Sequence, residues 1–211
     1  MKSHPVLGSY LRLFHAFPTS QSFDVYLDEK KYAKDLLYED FTVYKALTPG
    51  EHQLTICTHR TLDIVYERSV WISEHRIYTL VLAYLPDGSK MQGYLLNDPP
   101  KPIPEEHLLI RTANFSQHTS PITLHLEDIK PIFKKIPLRQ TSPYLSFIPA
   151  TAPIELADVT SQESLLTLPE HTFKTTRYYT LYLIGDIENY PLKLIQTIDG
   201  NSFLHFEENK N

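Results

Sequence analysis

Cysteine occurs once in the 211 residues, at Cys57. One thiol forms no intrachain disulfide and builds no cysteine-based zinc cluster, so a stapled secreted scaffold is excluded. Methionine and glycine are also scarce, at two and six. No glycine-rich phosphate loop and no Gly-x-Ser-x-Gly elbow is present. Cations are in deficit: 20 Lys and Arg against 25 Asp and Glu leave a net charge of −5, with no Lys/Arg-rich run. That balance argues against a nucleic-acid partner, which needs cations to displace counterions from phosphates. No apolar stretch reaches the length of a membrane span. Charge and turn residues interrupt residues 1–8 before the core of a signal peptide could form, which leads us to expect synthesis in the cytosol.

Tyrosine is abundant, at 14 residues, and apolar and charged residues make up 42% and 21%. This is a globular balance. The aromatic excess favours β-structure, because such side chains suit a pleated, half-buried surface.

The chain repeats itself. Tyr78-Thr79-Leu80 returns as Tyr179-Thr180-Leu181 at an offset of 101. With Arg12 set on Arg111 the offset is 99, and it carries Phe23 onto Ile122, Val25 onto Leu124 and Leu27 onto Leu126. Those three pairs keep the period of two that places alternate residues on one face of a strand. Tyr44 falls on Tyr144, Pro49 on Pro149, Leu54 on Ile154 and Ile56 on Leu156 at an offset of 100. Two single-residue insertions over a hundred residues is what drift in loops produces.

Between the copies, residues 99–106 form a proline-rich linker that cannot continue a sheet ladder. The domain reading is therefore 1–98 and 107–202, with a polar tail at 203–211 expected to fray. In the first copy we expect about seven strands, near 9–15, 23–28, 41–47, 51–57, 63–72, 76–84 and 90–96, and a short helical turn near 30–36. Pro49-Gly50 and Pro86-Asp87-Gly88 mark turns. In the second copy Pro131, Pro137, Pro143, Pro149, Pro153 and Pro169 belong at edges or in loops. The fold class is all-β: two tandem Ig-like antiparallel β-sandwiches from an internal duplication.

The run from Leu11 to Asp28 contains His15-Ala16-Phe17-Pro18, a short loop, and Asp24-Val25-Tyr26. It resembles the opening signature of the DUF4397 family, a bacterial domain of unknown function. In that signature a strand ends in His-Ala-Ser-Pro and Val-Asp-Val-Tyr precedes Asp-Gly. His15, Ala16, Pro18, Asp24, Val25 and Tyr26 match it, while Phe17 and Glu29 depart from it. The second copy matches more weakly, with Asn114 and Thr123 at the His and Asp positions. The resemblance implies tandem β-sandwich units in envelope, surface or spore-associated proteins, with no catalytic residue to carry over. Cytosolic synthesis followed by deposition on the spore or cell surface would fit both readings.

Four constellations invite chemistry. A His15–Asp24 ion pair would tune a general base, although the same residues tie down loops by hydrogen bonds to backbone. Asn114 in the second copy supports that structural reading, since it cannot act as a base. Ten histidines suggest a metal, yet the nearest sets, His52/His59 and His118/His125, are each seven apart, which suits neither strand nor helix ligation. Cys57 with His59 two residues on would share a strand face, but a strand cysteine more often fills apolar space. Tyr26, Tyr32, Tyr38 and Tyr44, with Tyr178 and Tyr190 in the second copy, would line a glycan or peptide groove if one face carried them. The functional expectation is a non-enzymatic structural or protein-interaction module that uses β edges or faces to bind a partner or itself, without a cofactor. A carbohydrate-binding module is the alternative, and a metal-dependent or Cys/His hydrolase comes third.

Overall fold

The computed structural model describes residues 8–117, 120–126, 132–149, 151–186 and 189–206. The chain divides into two compact units. Among the described residues, unit 1 holds 8–85, 90–100 and 203–206, and unit 2 holds the rest.

Unit 1 contains β1 (Ser9–His15), β2 (Phe23–Leu27), β3 (Lys30–Leu36), β4 (Lys45–Leu47), β5 (Gly50–Thr58), β6 (Ile64–Ile72), β7 (Ile77–Tyr84) and β8 (Met91–Asn97). One four-stranded sheet runs β4-β1-β7-β8 and the other β3-β2-β5-β6. The period of two supplies the core between them. Leu11 and Leu13 from β1, with Leu80 and Leu82 from β7, meet Phe23, Val25 and Leu27 from β2 and Leu54 and Ile56 from β5. Each such side chain contributes about 1.5–3 kcal/mol by leaving water.

Unit 2 repeats this element for element: β9 (Leu108–Asn114), β10 (Ile122–Leu126), β11 (Phe133–Ile136), β12 (Leu145–Phe147), β13 (Thr151–Asp158), β14 (Ser164–Thr172), β15 (Tyr178–Ile184) and β16 (Lys193–Ile198). Its sheets run β12-β9-β15-β16 and β11-β10-β13-β14, the first unit's orders with every number raised by eight. The expected all-β duplication is thus the observed architecture. Its pairings are antiparallel except one in each unit, where β1 runs parallel to β7 and β9 to β15. The first strand and the seventh meet because the chain has crossed to the other sheet in between.

Residues 30–36 correct one expectation. They form β3, not a helical turn. Tyr32 and Leu36, the buried pair, are four apart, a spacing that satisfies a strand as well as a helix. The pairing shifts register between Phe23/Val25 and Val25/Tyr26, and Asp35 takes a positive φ of 53° there. That bulge hides the alternation. The strand expected at 41–47 is reduced to β4 and an isolated bridge from Phe41 to Phe14.

Pro153 is a second correction. It lies inside β13, a central strand, at a register shift between Ala152 and Ile154, where a bulge spares the missing N–H. Pro169 sits in the edge strand β14, as expected. Pro131 lies outside the described residues. Among the described residues no helix is long and apolar enough to cross a membrane.

Candidate functional site

Strand directions gather three connections at one end of unit 1: residues 16–22, 37–44 and 59–63. The family-like motif lies there, and its residues take different roles. Ala16 is buried, and its N–H donates to Leu82 O at 2.9 Å. Pro18 is buried too, and its carbonyl lies 3.5 Å from the Tyr84 hydroxyl. Val25 is core. Tyr26 is half-buried on β2, with the Lys31 ammonium 5.3 Å from its ring centroid.

His15 and Asp24 do not pair. His15 follows the inward parity of Leu11 and Leu13, whereas Asp24, between inward-facing Phe23 and Val25, takes the opposite parity. The His15 ring is fully buried, 4.8 Å from the Phe23 ring centroid and edge-on to Tyr38 at 6.1 Å. Among the described residues neither ring nitrogen has a partner in hydrogen-bond geometry. Burial holds its pKa down at about 4, though a backbone group of Gln21 pulls the other way. A neutral imidazole results, in a place no solute reaches.

Asp24 is also buried, at 1% exposed. It accepts from Lys31 Nζ at 2.7 Å, His59 Nδ1 at 2.6 Å and the Asp35 N–H at 3.0 Å. Burial works against the carboxylate, but these donors outweigh it and bring its pKa to about 2. Asp35 in turn accepts from Ser22 Oγ at 2.5 Å and stands 3.9 Å from His59 Nε2. These groups border a cleft of about 670 Å³ lined by Ser22, Asp35, Leu37, His59, Arg60 and Thr61, among others. Beyond Gln21, which lines both, a smaller apolar cleft of about 430 Å³ lies among Phe17, Phe23, Val65, Tyr66 and Met91. Leu37, Leu62, Ile64 and Val65 are exposed at this end, between 42% and 62%.

The other constellations come apart. Cys57 is buried opposite Asp24 on β5; burial first, then Asp24, Asp63 and Glu67, push its thiol pKa up, so it is no thiolate nucleophile. His59 lies past the end of β5 and turns to Asp24. His52, near the other end of that strand, bonds Asp28 Oδ2 at 2.6 Å and Thr48 O at 2.7 Å. Both acceptors need an N–H, so the ring is an imidazolium. His125 is in β10, and His118 lies outside the described residues. Among the described residues no three His, Cys, Asp or Glu side chains could hold a metal ion.

The tyrosine row is likewise dispersed. Tyr32 is in the core, donating to Leu11 O; Tyr44 packs on the Arg12 guanidinium; Tyr178 is buried and bonds Lys101. With Tyr26 on the β2 sheet and Tyr38 beside His15, no exposed face carries three of them.

The residue patterns had not revealed a second network. Arg12 Nε donates to Thr79 Oγ1 at 3.0 Å, Thr79 Oγ1 lies 3.5 Å from Asp98 Oδ2, and Tyr44 Oη lies 3.3 Å from the same oxygen. Unit 2 repeats it tighter: Arg111 to Thr180 at 2.8 Å, Thr180 to Asp199 at 2.5 Å and Tyr144 to Asp199 at 2.6 Å. Each arginine lies over its tyrosine ring, at 4.7 and 4.5 Å. The loop-end cluster has no such copy. Asn114 replaces His15 and is held by Ser116 Oγ at 2.8 Å, and Thr123 replaces Asp24.

Several solved structures resemble the chain. A streptococcal virulence factor that binds alpha-glucan is 8% identical, with a TM-score of 0.27, over 93% of this chain and 99% of that one. A family 41 carbohydrate-binding module from streptococcal virulence factors is 10% identical, with a TM-score of 0.26, over 84% and 93%. A family CBM26 module of Amy13K from Eubacterium rectale, solved with maltoheptaose, is 7% identical, with a TM-score of 0.26, over 92% and 99%. No curated protein matches. A family model does match, over residues 9–125, from β1 through unit 1 and into β10. The chain belongs to the family described as a domain of unknown function, DUF4397.

Proposed function

We propose that this protein is a non-enzymatic protein-interaction module that takes its partner at the loop end of unit 1. The observation that carries this reading is the set of exposed aliphatic groups there: Leu37 lines the Asp35–His59 cleft, Leu62 follows Thr61 of its lining, and Val65 lines the smaller apolar cleft. Exposed aliphatic groups around a polar cleft suit a polypeptide, which brings apolar side chains and hydrogen-bonding backbone together. Sugar recognition relies on exposed aromatic faces. The exposed tryptophan, Trp71, is near the far end of β6 from this cleft. Cysteine-based catalysis would need an activated thiolate, and burial with nearby carboxylates holds the Cys57 thiol pKa up.

A photo-crosslinking residue placed at Leu62, and at Trp71 as a control, tests the reading in native lysate. A discrete protein adduct from position 62 and none from 71 is the expected result. No adduct from position 62 would overturn it, and a specific signal on a glycan array would then favour the carbohydrate-binding reading.

A further inference from the structure

We infer that the loop-end cleft of unit 1 receives a cationic side chain, a lysine or arginine of the partner, between His59 and Asp35; this rests on the protein-interaction reading above. His59 Nδ1 lies 2.6 Å from the Asp24 carboxylate, which only accepts hydrogen bonds, so Nδ1 carries the proton. In the neutral form of the ring, Nε2 is then an acceptor on the Asp35 side. Its separation from Asp35 Oδ1 is 3.9 Å, too long for a hydrogen bond between them. Two acceptors at that spacing suit a single NH3+ or NH2 group that donates to both.

Both acceptors are already fixed. His59 is held by Asp24, and Asp35 is held twice, through its N–H to Asp24 and through its carboxylate by Ser22. A site ordered before the ligand arrives spends little entropy on binding. Leu37 lines the cleft and exposed Leu62 follows Thr61, so the methylene stem of a lysine or arginine would have apolar groups to lie on.

Charge agrees. Asp24 is matched by Lys31, which leaves Asp35 and Asp63 against Arg60 around the cleft, in a chain of net charge −5. Arg60 is the opposing group, and it provides the sharpest test, because removing it should help a cation and harm an anion.

Calorimetry on the full chain, with three blocked tripeptides as probes, decides the matter. The probes are acetyl-Leu-Arg-Leu-amide, its citrulline analogue and acetyl-Leu-Glu-Leu-amide. Saturable binding of the arginine probe is expected, weakened about tenfold or more in the citrulline analogue and about as much by Asp35→Asn, and strengthened by Arg60→Ala. Asparagine tolerates the positive φ at position 35, so that variant should fold. Equal binding of all three probes, no saturable arginine binding, or glutamate binding abolished by Arg60→Ala would each overturn the proposal. The crosslink at position 62 separates the two readings. An adduct that survives Asp35→Asn removes the cation site and leaves the interaction module standing, whereas no adduct from the unaltered chain removes both.

Discussion

Asp24 is buried and ionised at once, and its three donors are what reconcile the two. Asp24→Ala strands His59 and Lys31 and leaves the Asp35 N–H without its acceptor, so it should cost about 2–4 kcal/mol in urea unfolding. A loss under about 0.5 kcal/mol would show that water replaces the carboxylate. His52 tests the opposite sign. Burial opposes its charge, but the Thr48 carbonyl and the Asp28 carboxylate raise its pKa above the ordinary 6.5. A raised folded-state pKa stabilises fully below the unfolded value and loses that contribution as pH climbs through the folded one. The stability gap between wild type and His52→Gln should therefore be widest below pH 6.5 and narrow as the pH climbs above it. A gap that widens with pH would contradict the imidazolium. The His15–Asp24 pair that the sequence suggests does not form, because the two residues take opposite strand parity. The Asp24–His59 pair was not legible, because it joins β2 to a turn 35 residues away and no local period encodes that.

At the level of elements, the β2–β3 turn carries the clearest local cost. Asp28 and Glu29 both take positive φ, 48° and 64°, as a two-residue hairpin of the primed type demands. Asp-Gly would be the favoured pair, and Glu29 departs from it. Glu29→Gly should raise the unfolding free energy by about 1 kcal/mol, with Asp28 kept because it holds His52. A destabilised variant would mean that the glutamate side chain, not the backbone, governs the turn. The missing glycine also hides the hairpin in the sequence, so that residues 30–36 look like a helical turn. Edges differ between the units: β14 carries Pro169, which cannot donate to an added strand, while β6 has no proline. Pro169→Thr should increase self-association, seen by light scattering as a rise in mass with concentration.

For the whole molecule, the duplication was legible because the offsets of 99, 100 and 101 follow strands that the structure pairs alike. The reason for the identities was not. Arg12 and Arg111, Tyr44 and Tyr144, Thr79 and Thr180 had set the register of the repeat, and they are members of one buried network made twice. In the sequence, tyrosines suggest a groove, and nothing marks Asp98 as a partner of Thr79. The network's geometry ranks the copies. Tyr144→Phe removes a 2.6 Å bond and should cost about 1–2 kcal/mol, while Tyr44→Phe removes a 3.3 Å contact and should cost less than about 1 kcal/mol. Equal losses in urea unfolding would mean that the distances do not set the strength.

The same network supplies a search key. Arginine and threonine stand 67 residues apart in the first copy and 69 in the second, and an aspartate follows the threonine after 19 residues in both. A pattern written on those three positions would detect the second copy, which has drifted at the histidine and aspartate of the opening signature. In longer chains of this kind it would count repeats where a motif built on the first loop finds one.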